Sequence, residues 1–255
     1  MSEFYVGYRR NAPPGIAQGV RMLLAFLFAL AAISAILFAA VQRTYAPSFF
    51  EYGRIRSFTG IISARPYPAF TLQLPIKDLP ARNYFLLVAE GKHGAGDQVA
   101  SFDGKLVSLR GTLIYRDSQA MIEIVKDSIQ LRSSLPDVAR AEGGPAKPQD
   151  LGKFDLTGEI VDAKCYLGAM NPASGKVHRD CAARCLSGGI PPALVTQNFR
   201  NAPAFFLLLD EHRMPLPKES FLSHVGQPVR IHGQVLRSAR TLYLATSADS
   251  ISTLP

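Results

Sequence analysis

The sequence predicts a mainly β protein. A single N-terminal transmembrane helix is followed by tandem OB-like β-barrel domains, and the second barrel carries a short helical insertion that contains cysteine and histidine. Three observations lead to this prediction. A long apolar segment lies near the N-terminus, the rest of the chain repeats one pattern of β-type runs twice, and the second copy holds all three cysteines.

Residues 22–43 are predicted to form the transmembrane helix. The stretch MLLAFLFALAAISAILFAAV (22–41) carries no charge, and Pro14 upstream is suited to the first turn of the same helix. An apolar stretch of about 20 residues crosses a hydrocarbon core of about 30 Å, whereas the apolar region of a cleavable signal peptide usually runs about 7 to 15 residues. We therefore expect an uncleaved anchor, with a signal peptide as the alternative.

Residues 1–21 are predicted to form a short cytoplasmic tail. Basic residues on the two sides of the apolar segment are balanced, so the positive-inside rule does not orient the helix. They are Arg9, Arg10 and Arg21 before it and Arg43, Arg54 and Arg56 after it. The short tail on one side and the whole folded mass on the other favour a single-pass protein of the inner or plasma membrane. Its N-terminus is then cytoplasmic and its bulk lies outside the cytoplasm, in the periplasm.

Two features predict contacts with the membrane and with a membrane partner. Ala31, Ala35 and Ala39 recur every four residues, and small residues at this spacing let another helix approach closely. Tyr5 and Tyr8 in the tail are aromatic residues that could bind a partner or anchor the chain at the lipid interface. We therefore expect the lipid bilayer and integral-membrane protein subunits as partners, although lipid-facing alanines would show the same spacing.

Beyond the helix the chain repeats itself once. The matching segments are FTGIIS (58–63) with LTGEIV (156–161), YFLLVAE (84–90) with FFLLLDE (205–211), and GKLVSLRGTLIYRDSQAMIEI (104–124) with GQPVRIHGQVLRSARTLYLAT (226–246). These runs are rich in Val, Ile, Leu, Phe and Tyr and are bounded by Gly, Pro and Asp, which is typical of strands. Three strands, a short helical turn and two more strands is the order of a small OB-type barrel, with β-sandwich-like modules as the alternative.

The repeat sets the predicted domain boundaries. The first OB-like barrel covers residues 44–132 and the second covers 153–255, with a linker rich in Pro, Gly and small polar residues at 133–152. The second copy is longer than the first between its first strand and its FFLLL strand. The additional residues form the predicted insertion at 164–192, and connecting segments of this kind carry chemistry more often than strands do.

The insertion contains a cluster of cysteine and histidine. HRDCAARC (178–185) places His178, Cys181 and Cys185 at i, i+3 and i+7, which is one face of a helix. The third cysteine of the chain, Cys165, ends the preceding strand and could fold back onto this face.

Neighbouring residues support both the helix and the site. Asn171 or Ser174 can cap the start of the helix, and Gly188 can take the left-handed position after its end. Asp162 and Lys164 flank the upstream cysteine and could tune its thiolate, although a strand that ends in a turn would have the same residues.

Cys165, His178, Cys181 and Cys185 are predicted to bind one metal ion. Three sulfurs and an imidazole form a Cys₃His set, which suits closed tetrahedral zinc, and the same soft ligands also suit copper. A disulfide without metal and a set of inert buried cysteines are the alternatives. The disulfide leaves one thiol and the histidine unexplained.

The functional prediction combines the anchor with this cluster. No hydrolase, nucleotide-binding or paired-carboxylate motif occurs, so catalysis by this chain alone is not expected. We expect a membrane-anchored extracytoplasmic accessory subunit of an integral-membrane complex, such as a respiratory or other redox complex. One alternative is a thiol-disulfide or copper-handling assembly factor that uses Cys181 and Cys185. A weaker alternative is an OB-type nucleic-acid-binding module, but the basic residues behind the formal charge of +8 are scattered, so no nucleic acid is expected as a partner.

Overall fold

The computed structural model describes residues 12–42, 48–73, 83–133, 148–238 and 241–254. Tyr5 and Tyr8 and most of the predicted linker lie outside these ranges. The described residues form a mainly β protein with one long apolar helix near the N-terminus, as the sequence predicts. The chain divides into two compact units, Met1–Ala46 with the helix and Pro47–Pro255 with the strands.

The first unit contains helix α1, Pro14–Gln42. Its first residue is the predicted proline, whose missing N–H costs no hydrogen bond in the first turn of a helix. The helix therefore begins earlier than the predicted range 22–43, and it is long and apolar enough to cross a membrane. Ala31, Ala35 and Ala39 are exposed along it, so all three are accessible to a neighbouring helix.

The first barrel consists of β1 Ser48–Phe50, β2 Arg56–Ser63, β3 Ala69–Leu72, β4 Tyr84–Val88, β5 Leu106–Arg116, β6 Gln119–Ile124 and β7 Gln130–Leu131, with the short helix α2, Gly96–Val99, between β4 and β5. The strands pair in the order β5-β2-β3-β4-β6, and β6 pairs again with β5, which closes a five-stranded barrel. Every pair in the ring is antiparallel except β4–β6, which is parallel. Strands β1 and β7 add to β5 outside the ring.

The second barrel consists of β8 Gln149–Asp162, β9 Pro192–Phe199, β10 Ala202–Leu209, β11 Pro228–Ser238, β12 Thr241–Ala245 and β13 Ile251–Thr253, with helix α3, Arg179–Ser187, between β8 and β9. Its ring has the order β11-β8-β9-β10-β12 and closes between β12 and β11. The single parallel pair, β10–β12, matches β4–β6 of the first barrel. The sequence repeat therefore corresponds to two closed barrels with the same strand order.

Alternating burial along the long strands explains why these segments form barrels. In β11, Val229, Ile231 and Val235 are buried while Arg230 and His232 are exposed. Successive side chains of a strand point to opposite faces, so this alternation gives the strand one face toward the barrel interior and one toward solvent.

Four glycines at matching positions allow the strands to bend around each barrel. They are Gly60 and Gly111 in the first barrel and Gly158 and Gly233 in the second. A β-carbon at any of the four would overlap a backbone oxygen of the neighbouring strand. Glycine inside a strand is expected where another backbone approaches closely, so the repeat preserves these points of close contact between strands.

The two barrels pack against each other through a third apolar cluster. Separate clusters fill the interior of the first barrel and the interior of the second. Leu86 and Met121 of the first barrel and Leu207 of the second are among the residues buried in the cluster between them. Tyr67 of the first barrel also donates a hydrogen bond from its hydroxyl group to the backbone carbonyl of Leu208. We call this contact region the seam.

The second barrel begins inside the segment that the sequence predicts as a linker. Strand β8 starts at Gln149, and its first residues pair with the end of β11. Residues 134–147 of the same predicted segment lie outside the described residues.

Candidate metal centre

The chain between β8 and β9 starts with a turn that positions Cys165. Asp162, the last residue of β8, accepts a hydrogen bond at its Oδ1 atom from the backbone N–H of Cys165, with a distance of 2.8 Å. Cys165 then begins a wide, π-type helical turn, Cys165–Ala169. Within it, Gly168 has a φ of 159°, and a β-carbon there would overlap the backbone of Phe49 in β1. The turn is therefore held from both ends.

The second half of the segment supplies the other candidate ligands. A 3₁₀ turn, Lys176–His178, runs directly into α3. Cys181 and Cys185 lie in α3, while His178 occupies the position that caps it. The prediction of one helix face is thus right for the two cysteines, and the histidine reaches the same place from the preceding turn.

The predicted helix boundaries need two corrections. The residue at the N-terminal cap of α3 is His178, so neither Asn171 nor Ser174 occupies that position. At the other end, Gly189 has the positive φ of 91°, whereas Gly188 has a φ of −80°. The helix starts later than predicted because a separate 3₁₀ turn precedes it, and the left-handed residue follows one position later.

The predicted ligands fall into two groups that share Cys165. Ligand atoms of Cys165, His178 and Cys181 lie within 4.8 Å of one another, which is near enough to bind one metal ion. Ligand atoms of Asp162, Cys165 and Cys185 also lie within 4.8 Å of one another. Cys165 belongs to both groups, so the two sets overlap in one cluster.

Most of this cluster is shielded from solvent. Cys165, His178 and Cys185 are buried, with exposed fractions of 5%, 4% and 2%. Cys181 is partly exposed, and all three cysteines are free thiols. The arrangement therefore has a buried back and one ligand at its solvent-facing edge.

Asp162 links the strand end to the histidine as well as to the cysteine turn. Its Oδ2 atom lies 3.0 Å from Nε2 of His178, and the carboxylate is fully buried. A hydrogen-bonded ring nitrogen cannot bind a metal, so Nδ1 is the atom of His178 that remains for coordination. Carboxylates that hold a histidine in this way are a regular feature of metal sites, where they fix the orientation of the ring.

The environment acts in opposite directions on the two buried thiols. The hydrogen bond that joins Cys165 and Cys185 raises the pKa of Cys165 and lowers the pKa of Cys185. Burial and the nearby Asp162 carboxylate raise the pKa of Cys165 further. The two directions follow from one hydrogen bond between the thiols, and a cation between the sulfurs would replace its proton.

The first barrel contacts this segment through the loop that follows β4, residues 89–94. Lys92 of that loop donates from Nζ to Sγ of Cys181, with a distance of 3.1 Å. The backbone N–H of Gly94 donates to the carbonyl of Gly188 at 2.9 Å. A β-carbon on Gly188 would overlap the carbonyl oxygen of Lys92, so the two backbones are in close contact.

Lys164 makes the reciprocal contact from the second barrel. Its ammonium group donates to the backbone carbonyls of Ala89 and Gly91, at 3.0 Å and 2.6 Å, and forms an ion pair with Glu123 of β6. Lys164 is buried, and a buried charge is tolerated only where partners of this kind surround it. The candidate metal centre therefore lies at the seam and not on a free loop.

Comparisons with known proteins find no match for the chain. No protein-family model matches the chain, and neither a curated protein nor a solved structure matches it. A five-stranded barrel hosts many unrelated functions, so the fold alone does not assign one. Any functional conclusion has to rest on the cluster, the seam and the apolar helix.

Proposed function

We propose that the protein is a membrane-anchored extracytoplasmic accessory subunit of an integral-membrane complex, such as a respiratory or other redox complex. In this proposal the two barrels are OB-like, and the second holds a zinc ion at Cys165, His178, Cys181 and Cys185. The observation that carries the proposal is that Cys165, His178 and Cys181 lie near enough to bind one metal ion, with Cys185 close to Cys165. The long apolar α1 supports the anchor.

The ligand chemistry favours zinc. Three thiolates and one imidazole complete a closed tetrahedral shell, as in structural zinc sites. Two features of the surroundings fit this shell. Asp162 orients the imidazole from outside, and the ammonium group of Lys92 beside Cys181 offsets the net negative charge that three thiolates leave on a Zn²⁺ ion. Copper(I), which prefers fewer ligands of the same soft type, is the alternative metal.

A zinc ion in this place would have a structural role. Bonds to zinc would fix the turn and the helix of the segment between β8 and β9 to each other. Because Lys164 and Gly188 of the same segment contact the 89–94 loop, zinc would also stabilise the seam. Two barrels that zinc holds rigidly together, on a membrane anchor, are suited to binding an integral-membrane partner.

Metal analysis tests the zinc part of this proposal. We expect about one zinc ion per purified chain, since the four ligands form one shell. Cys181→Ser should lose most of the zinc. The matched control is Asp180→Asn, which removes an exposed acidic group from the preceding position of the same helix and should retain it. Equal zinc loss in both variants, or a chain without zinc after purification in metal-replete buffer, would count against the site.

Gentle purification tests the accessory-subunit part. The native protein extracted in a mild detergent should migrate with integral-membrane subunits, which mass spectrometry would identify. A reporter fused after Pro255 should be active outside the cytoplasm. A monomer at every detergent strength, or a reporter that is active only in the cytoplasm, would contradict this part of the proposal.

A second candidate function is thiol-disulfide exchange or copper handling by Cys181 and Cys185. The specific observation in its favour is the lowered pKa of Cys185, caused first by its hydrogen bond with Cys165, together with the Lys92 ammonium beside Cys181. In exchange, the two thiols would lose two electrons and two protons to the disulfide of a partner, which would become two thiols. Counting free thiols in metal-free denaturant separates the two functions. Three thiols favour the metal site, and one thiol favours a disulfide.

A further inference from the structure

A second feature of the seam has a different chemistry. A cleft of about 340 Å³ lies between the β5–β6 hairpin of the first barrel and the β9–β10 and β11–β12 strand pairs of the second. Three of its lining residues are arginines, Arg116, Arg200 and Arg237. Asp117 is the acidic residue among the described residues that line it, so these residues carry more positive than negative charge. We call this the arginine cleft.

The arginine cleft also has an apolar wall. The rings of Tyr166 and Phe205 in this wall stack face to face, with their centres 5.7 Å apart and their planes 17° from parallel, so they cover each other. Phe199 and Leu242 line the same cleft. A volume above about 300 Å³ with an apolar wall and a few polar groups is typical of a small-molecule site.

Arg116 is held in a defined orientation. The central carbon of its guanidinium group lies 4.3 Å from the centre of the Tyr166 ring. A guanidinium group that stacks on a ring keeps its N–H groups at its edge, where a carboxylate or phosphate can accept two hydrogen bonds in parallel. Nε of Arg116 is buried and has no hydrogen-bond acceptor among the described residues, which is uncommon for a charged donor. The guanidinium group therefore has an unsatisfied N–H donor at the wall of the cleft.

We propose that the arginine cleft binds a small organic oxyanion, in which a phosphate or carboxylate group is attached to a flat apolar ring. The oxyanion binds at Arg116, and Arg200 and Arg237 add positive charge at the rim. The ring of the ligand packs against the apolar side chains of Phe199 and Leu242. A cleft of this size suits a small molecule. The inference does not depend on the zinc site.

Calorimetric titration of the full-length protein in detergent tests this inference. The probes are phenyl phosphate, benzoate and inorganic phosphate. Phenyl phosphate and benzoate should each bind saturably to one site per chain, and inorganic phosphate should bind more weakly because it lacks the ring. Arg116→Gln should weaken the affinity for both aromatic anions about tenfold to a hundredfold, since hydrogen bonds to charged groups are lost.

Two further variants separate the roles of charge and apolar contact. Leu242→Ala should weaken the affinity for phenyl phosphate while leaving the affinity for inorganic phosphate within about twofold, because Leu242 offers apolar contact to the ring alone. Arg237→Gln changes an exposed residue and should weaken the affinity for every anion without affecting folding. The matched control is Arg110→Gln on β5, an exposed arginine outside the cleft, which should change no affinity.

Three results would overturn the inference. The first is the absence of saturable binding of either aromatic anion. The second is equal weakening by Arg110→Gln and Arg237→Gln, which would mean that the overall positive charge attracts anions. The third is equal affinity for phenyl phosphate and inorganic phosphate in both the native chain and Leu242→Ala.

Discussion

Asp162 is the residue on which the candidate metal centre depends most, although it is not one of the four predicted ligands. One of its oxygens fixes the turn at Cys165 and the other contacts His178. The sequence could identify the thiols and the imidazole because their chemistry and helical spacing are visible. It could place Asp162 only as a neighbour of Cys165, because its contact with His178 depends on how the segment folds back.

Replacing Asp162 by Asn should weaken zinc binding without abolishing it. The amide cannot hold the imidazole ring as strongly as a carboxylate does, and loss of such a partner typically weakens metal affinity about 10- to 100-fold. Competition with a chromogenic chelator measures the change. Asp155→Asn is the matched control, since it removes an exposed carboxylate from the same strand whose partner is His232. An unchanged affinity in Asp162→Asn would mean that this contact does not support the metal.

Lys164 allows a second test at the scale of a residue. In Lys164→Met the carboxylate of Glu123 and two backbone carbonyls lose their buried partner, and removing one member of a buried ion pair costs about 3 to 5 kcal/mol. The free energy of unfolding in urea measures this loss. Adding Glu123→Gln should recover part of it because the unpaired charge is removed. A change below about 0.5 kcal/mol, the size expected of a surface substitution, would contradict a structural role for this ion pair.

At the scale of elements, the seam around α3 is the part that sequence patterns could not predict. The strands were predictable because their alternation repeats in both halves, and α3 because its cysteines share one face. Lys92 and the rest of the 89–94 loop carry no such signal. They meet the cysteine segment only after both barrels have closed, and no spacing rule relates residues in different barrels.

Gly188→Ala should loosen this contact. The added β-carbon would overlap the carbonyl oxygen of Lys92, so the loop and the segment would have to separate. We expect faster alkylation of Cys181 and Cys185 by a thiol reagent in the metal-free protein. Gly96→Ala is the control, because its β-carbon would meet no atom within 4 Å. If both variants react at the rate of the native chain, the loop does not protect the cysteines.

The apolar helix is the element through which a membrane partner is expected to bind. Ala35→Leu places a bulky side chain in the middle of the small-residue face, and it should reduce the recovery of partner subunits in mild detergent. Ala40→Leu adds the same volume on a different face of α1 and should have little effect. Equal recovery in both variants would indicate that Ala31, Ala35 and Ala39 face lipid.

At the scale of the whole molecule, two barrels with the same strand order share one seam, and both candidate sites lie along it. The repeat made the two barrels predictable. Their contact was not, because apolar residues of the seam such as Leu86 and Leu207 resemble those of the barrel interiors in sequence. The additional segment of the second barrel is therefore positioned by its contacts with the first barrel.

In the proposed zinc site, Cys165, His178, Cys181 and Cys185 bind one ion. X-ray absorption at the zinc edge of the purified full-length protein measures this shell. We expect about three sulfurs at about 2.3 Å and one nitrogen at about 2.0 to 2.1 Å, the distances of a Cys₃His site. A shell dominated by oxygen or nitrogen, or one with fewer than three sulfurs, would contradict it.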